Sequence, residues 1–115
     1  MTPKLGDFFP EEKRDKHADG LLAKGAVLRV FATDINNQKI KRLIIIGVTN
    51  EGTIGKVFIN SDPQSSHSQI PIKALNREYL DHDSFVDCSR LYEDERETLL
   101  EILKADFSCY IGQVS

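Results

Sequence analysis

The sequence predicts a small, mainly β domain of α+β class: a barrel of five or six short strands with one amphipathic helix near the C-terminus. Three observations predict it. Runs rich in β-branched and aromatic residues fill positions 26–60, turn-forming residues separate them, and one late stretch, 92–107, carries apolar residues at helical spacing. The 115 residues suffice for a single core and are too few for two domains. With 40% apolar and 29% charged residues, the composition argues against a wholly disordered chain. Residues 1–24 read as a charged N-terminal extension and residues 25–115 as the barrel domain.

In the extension, Phe8 and Phe9 precede Pro10, and the charge-dense stretch Glu11 to Ala18 suits a short helix begun at that proline. It has almost no apolar stripe, so such a helix is expected to be largely solvated, with Leu21 and Leu22 as the first buried candidates. Val27 to Thr33 reads as the first strand, and Asn36-Asn37 as a turn. Lys39 to Thr49 leads from Lys39 and Lys41-Arg42 into Leu43-Ile44-Ile45-Ile46, a run suited to a strand buried on both faces. An Asn50-Glu51-Gly52 turn joins it to a third strand, Thr53 to Asn60. The polar stretch Ser61 to Ser68 is the longest loop. Ile70-Pro71-Ile72 suits an edge strand, because proline cannot donate to a ladder, and Ser84 to Cys88 alternates as another strand. From Tyr92 to Phe107 a helix is expected. Asp94, Glu95 and Glu97 crowd its first turns, Lys104 sits near its end, and Leu99, Leu100, Leu103 and Phe107 share one face. Cys109 to Val114 closes the chain as a last strand.

Composition also excludes several classes. There are 15 Lys and Arg against 18 Asp and Glu, a formal charge of −3, so this is not a strongly basic nucleic-acid-coating protein. The charge is uneven: residues 1–60 hold ten basic and seven acidic side chains, residues 61–115 five and eleven. A basic half invites an anionic ligand such as RNA; the acidic half reads equally as one solvated helix. No apolar run is long enough to span a membrane, and no signal-like core opens the chain, so a cytoplasmic location is expected. Cys88 and Cys109 match no metal spacing and are read as buried small hydrophobes, not a disulfide. His17, His67 and His82 lie apart, with His82 in a solvated turn, so no metal site is expected. Phosphate-loop, dinucleotide, zinc-protease and serine-hydrolase signatures are all absent.

What remains is Arg42 at the mouth of a buried strand and the loop that begins at Ser61. If strands 39–49 and 53–60 pair as a hairpin, Arg42 faces the region of Ser61 across it. A guanidinium beside hydroxyls and a histidine, His67, suits a phosphodiester and the extra charge of its transition state. By themselves the same charges are also, and more simply, read as guards against edge pairing.

Whole segments resemble a known family. Gly25-Ala26-Val27-Leu28-Arg29-Val30 followed by Lys41-Arg42-Leu43-Ile44-Ile45-Ile46 is similar to the opening of the MazF/PemK-like (Kid/CcdB-like) toxins. There a strand of glycine, small residue and alternating apolars precedes an arginine-led aliphatic strand. Lys56-Val57-Phe58-Ile59-Asn60-Ser61 stands where the family's third strand ends in a hydroxyl residue. His82-Asp83-Ser84-Phe85-Val86-Asp87-Cys88-Ser89-Arg90-Leu91 is similar to the later strand that leads into the helix. The resemblance covers about residues 25–115. It implies an SH3-like barrel, homodimeric, acting as an endoribonuclease without metal or other cofactor, in which the substrate's 2′-hydroxyl attacks its own phosphorus. In that picture Arg42 stabilises the phosphate and the Ser61 hydroxyl bonds to it. Lys39, Lys41, Asn60 and His67 are the RNA-binding candidates, His67 being an addition the family pattern does not supply. The implied partners are single-stranded RNA and a small antitoxin protein, with no membrane. Leu43 stands where the family has proline, and the alternative is a catalytically inactive SH3-like module that binds a protein or nucleic acid.

Overall fold

The computed structural model describes residues 11–35, 38–62 and 68–114. The expectations for Phe8 to Pro10, the Asn36-Asn37 turn and His67 lie outside these residues. The described elements are α1 (Glu11–Leu21), β1 (Ala26–Ala32), β2 (Lys39–Val48), β3 (Thr53–Asn60), β4 (Gln69–Ile72), β5 (Ser84–Glu95), α2 (Arg96–Ala105), a 3-10 turn (Phe107–Cys109) and β6 (Tyr110–Gln113). The strands form one antiparallel sheet, β4-β5-β3-β2-β1-β6, curled into a half-barrel, with α2 near the C-terminus. Among the described residues no helix is long and apolar enough to cross a membrane.

The sheet buries both faces because its central strands are apolar on both sides. On one face Leu28 and Val30 of β1, Leu43 and Ile45 of β2, and Ile54 and Phe58 of β3 pack under Leu99, Leu100 and Leu103 of α2. On the other, Val27, Ile44, Val57 and Ile59 pack under Tyr79 and Leu80, which belong to the strap between β4 and β5. Burial in β2 is thus two-sided over Leu43, Ile44 and Ile45, but Ile46 is 43% exposed. The β2–β3 turn uses Gly52 at φ +90°, a conformation glycine adopts without strain. Gly112 meets a different need: a Cβ there would come within 3.0 Å of the Tyr79 ring, so its bareness lets the strap lie against β6.

Helix α1 is mostly solvated, yet Ala18 is fully buried and Leu22, just beyond it, nearly so. Ion pairs from Asp15 to Lys104 (2.6 Å) and from Asp19 to Arg96 tie it to α2.

Three expectations are corrected. Helix α2 begins at Arg96, not Tyr92, because residues 92–95 extend β5 along β3 with Tyr92 opposite Lys56 and Asp94 opposite Ile54. Two side-chain interactions hold them extended. The Tyr92 ring meets Phe58 edge-on at 4.9 Å, and the Asp94 carboxylate takes the nearly buried Lys56 ammonium at 2.5 Å. Phe107 falls beyond α2, in the 3-10 turn whose amide at Ser108 is capped by Asp106. Cys88 is exposed, since the outer part of β5 is solvated, and neither Cys88 nor Cys109 is in a disulfide.

Lys56 is also bonded by Asp34 at 3.0 Å, so one buried cation joins β3, β5 and the segment after β1. Removing it leaves two partly buried carboxylates without their counter-ion. Lys56→Met is therefore expected to cost on the order of 3 kcal/mol in denaturant unfolding, and adding Asp94→Asn to recover part of that loss.

Candidate functional site

Register decides what reaches the open end of the β2–β3 hairpin. Arg42 pairs with Ile59 and Leu43 with Phe58, so one further step sets Lys41 against Asn60 and Ile40 against Ser61. Side chains alternate along a strand, so Lys41 and Asn60 share the helix-covered face while Arg42 and Ser61 share the strap-covered one. At the strand ends both sets border a cleft of about 240 Å³, lined by Lys39, Ile40, Lys41, Arg42, Ile59, Asn60, Ser61 and Asp62.

On the strap side, the Arg42 guanidinium donates to Asp81 at 2.7 Å. The partner is 78% exposed and sits at the end of the strap, so this is a surface counter-ion and not an internal lock. The Arg42 Nε is buried with no hydrogen-bond partner among the described residues, and the side chain is 23% exposed, so a ligand meets the guanidinium at its terminal nitrogens. The exposed Ser61 hydroxyl makes no hydrogen bond among the described residues. Directly across β1, Arg29 pairs with Arg42, which sets two guanidinium-bearing side chains opposite each other.

On the helix side, the residues are spent on one another. The Lys41 ammonium donates to the Asn60 carbonyl oxygen and lies 5.6 Å from the Phe58 ring centre. Burial holds its pKa below the ordinary lysine value, repulsion from Lys39 adds to this, and Asp87 works against it. Asn60 in turn donates to Asp87 at 3.2 Å. Asp87 also accepts the Ser89 amide at 3.0 Å and the Ser89 hydroxyl at 2.5 Å. Burial alone would raise the Asp87 carboxyl, but the hydrogen bonds from Ser89 and Asn60 hold it below the usual carboxylate range.

The structure therefore brings Arg42, Ser61 and the exposed Lys39 to one cleft. It places Lys41 and Asn60 at the cleft wall as a bonded pair, and His67 lies outside the described residues. Sequence reasoning missed Arg29, Asp81 and Asp87. Arg29 alone carried a local signal, as the charged position of an alternating apolar strand. Asp81 and Asp87 reach the site only through the strap and the β3–β5 register. No group of three or more His, Cys, Asp or Glu side chains that could hold a metal ion occurs among the described residues.

A carboxylate with a depressed folded pKa stabilises fully above its unfolded pKa and ceases to as pH falls through the folded value. Asp87→Asn is expected to melt lower than the parent near neutrality, the gap closing as pH drops below about 4. Thermal melts across pH check this; a gap independent of pH would mean that the Asp87 charge contributes nothing. In comparisons with known proteins, no family model and no curated protein matches the chain.

Proposed function

We propose that this chain is a toxin-like endoribonuclease that cleaves single-stranded RNA in the β2–β3 cleft. The observation that carries the reading is the shared position of Arg42, whose one ion pair among the described residues is to the exposed Asp81, and the exposed Ser61 hydroxyl at one cleft. The segment-by-segment likeness to MazF/PemK-like toxins over about residues 25–115 supports it, and brings a homodimer and a small antitoxin protein into the proposal.

The chemistry asks little of the protein. The 2′-oxygen attacks the adjacent phosphorus and loses its proton to solvent. The bond from phosphorus to the 5′-oxygen breaks, and that oxygen takes a proton from water. The products are a 2′,3′-cyclic phosphate and a free 5′-hydroxyl, with no water consumed. The protein aligns the sugar and stabilises the added charge of the phosphorane, for which a guanidinium and a hydroxyl donor suffice. Asp81 then acts as the counter-ion that the phosphate replaces.

The Arg42–Asp81 pair also favours a second reading, a half-barrel that binds RNA without turnover, because a carboxylate on the guanidinium lowers its affinity for the transition-state charge.

The test is incubation of the purified chain with a long single-stranded RNA in the presence of chelator, followed by analysis of the fragment ends. Cyclic phosphates are expected, and Arg42→Ala is expected to slow cleavage by roughly 100- to 1,000-fold with an unchanged melting temperature. Asp81→Asn is expected to tighten RNA binding. Intact RNA with a salt-sensitive shift that Arg42→Ala weakens would favour the second reading. Absence of both cleavage and binding would overturn both.

A further inference from the structure

Above the paired Arg29 and Arg42, toward the open end of the hairpin, β1 and β2 carry a second cross-strand pair on the same face, Phe31 opposite Ile40. Both are more than half exposed, at 57% and 53%. Ile40 lines the Arg42 cleft and also a second one of about 370 Å³, bordered by Arg29, Phe31, Ile102, Asp106 and Ser108. The two clefts therefore meet over one side chain.

Folding does not account for this surface. Like charges directly opposite on a sheet destabilise it, and Arg29 makes no ion pair among the described residues. An aromatic ring left in water beside two guanidinium groups gives up its burial energy as well. Both costs are recovered by a ligand that is anionic at one level of the strand and flat and apolar at the next, about 7 Å away along the backbone. Single-stranded nucleic acid has that alternation: phosphates track cations while bases stack on exposed rings. The far wall of the second cleft carries Asp106, whose carboxylate accepts both the Ser108 amide and hydroxyl.

The geometry points to a base-stacking subsite at Phe31 and Ile40, holding the nucleotide next to the phosphate bound by Arg42, with Arg29 on the following phosphate. This rests on the reading that RNA lies in the Arg42 cleft, whether or not it is cut there. It adds a platform that sets which neighbouring base is held.

The chain contains no tryptophan, so Phe31→Trp introduces a single reporter ring that keeps the stacking face. The probe is a short fluorescein-labelled 2′-O-methyl oligoribonucleotide, which has no free 2′-hydroxyl to attack, beside the same oligomer with abasic positions. Phe31→Ala is expected to weaken binding of the first by roughly 5- to 150-fold, with the salt dependence unchanged. Arg29→Ala is expected to lower the salt slope by about one unit. Using unlabelled oligomers, Phe31→Trp is expected to bind like the parent, with its fluorescence quenched by the normal oligomer and not by the abasic one. If Phe31→Ala binds like the parent while Arg42→Ala does not, the stacking subsite falls and the Arg42 reading stands. If abasic and normal oligomers bind alike, the surface is merely cationic and the subsite falls. If Arg42→Ala binds like the parent, the cleft reading fails, and the subsite as placed here fails with it.

Discussion

Everything at the candidate site follows from one alignment, Arg42 of β2 against Ile59 of β3. A strand's side chains alternate between faces, so a one-residue slip of β2 along β3 would exchange Lys41 for Arg42 while Asn60 and Ser61 kept their faces. The register is held by apolar residues further along. Leu43 and Ile45 are fully buried under the helices, while Ile44 is buried under the strap. Each such burial stabilises by about 1.5–3 kcal/mol, but an aliphatic run buried on both sides tolerates a slip on hydrophobic grounds alone. The discrimination comes from the polar neighbours. In the observed register Lys41 finds Asn60. A slip of β2 would put the Lys41 ammonium on the face of Ile59 and the strap, away from Asn60.

The two faces at the open end consequently have different states. On one, the chain Lys41–Asn60–Asp87–Ser89 is closed: each donor has an acceptor, and the sum is a braced edge across β2, β3 and β5. On the other, Arg42 holds one exposed carboxylate, Arg29 faces it, and Phe31 and Ile40 stand in water. A satisfied network contributes rigidity, and an unsatisfied one leaves free energy for a ligand to recover. Rigidity on the first face is what keeps the second in place, because the same two strands carry both.

Much of this architecture is legible from local signals. The β-branched runs, the Asn50-Glu51-Gly52 turn and the proline in the edge strand β4 act through backbone preferences that need no knowledge of the partner strand. The placement of Arg42 and Ser61 at one cleft also follows from the hairpin alone. The start of α2 was not legible, because Asp94 and Glu95 are as suited to a helix N-terminus as to a strand. Contacts with β3, the Phe58 ring on Tyr92 and the buried Lys56 on Asp94, decide for the strand. The same holds for Asp81. Its residues read as a solvated turn, which they are, and nothing local says that the turn ends over β2. Cys88 fails for a related reason: a small apolar residue says nothing about whether its stretch of strand is covered, and this part of β5 is not.

The strap explains how the Arg42 guanidinium is oriented by a counter-ion that holds it only weakly. Tyr79 fills the space that Gly112 leaves and Leu80 sits under the same cover, so the strap is anchored by burial up to the residue before Asp81. The Asp83 side chain then accepts the Ala74 amide at 2.8 Å and closes the strap on itself. Asp81 is thereby delivered to Arg42 at little entropic cost, and the pair orients the guanidinium. Yet Asp81 is mostly in water, where an ion pair stabilises by only about 0–1 kcal/mol. Under the proposed function, a phosphate reaching the same fork offers the charge-assisted, bidentate geometry that a carboxylate also offers. On that reading, displacing Asp81 therefore costs little, whereas a buried carboxylate in the same place would have kept the arginine for itself.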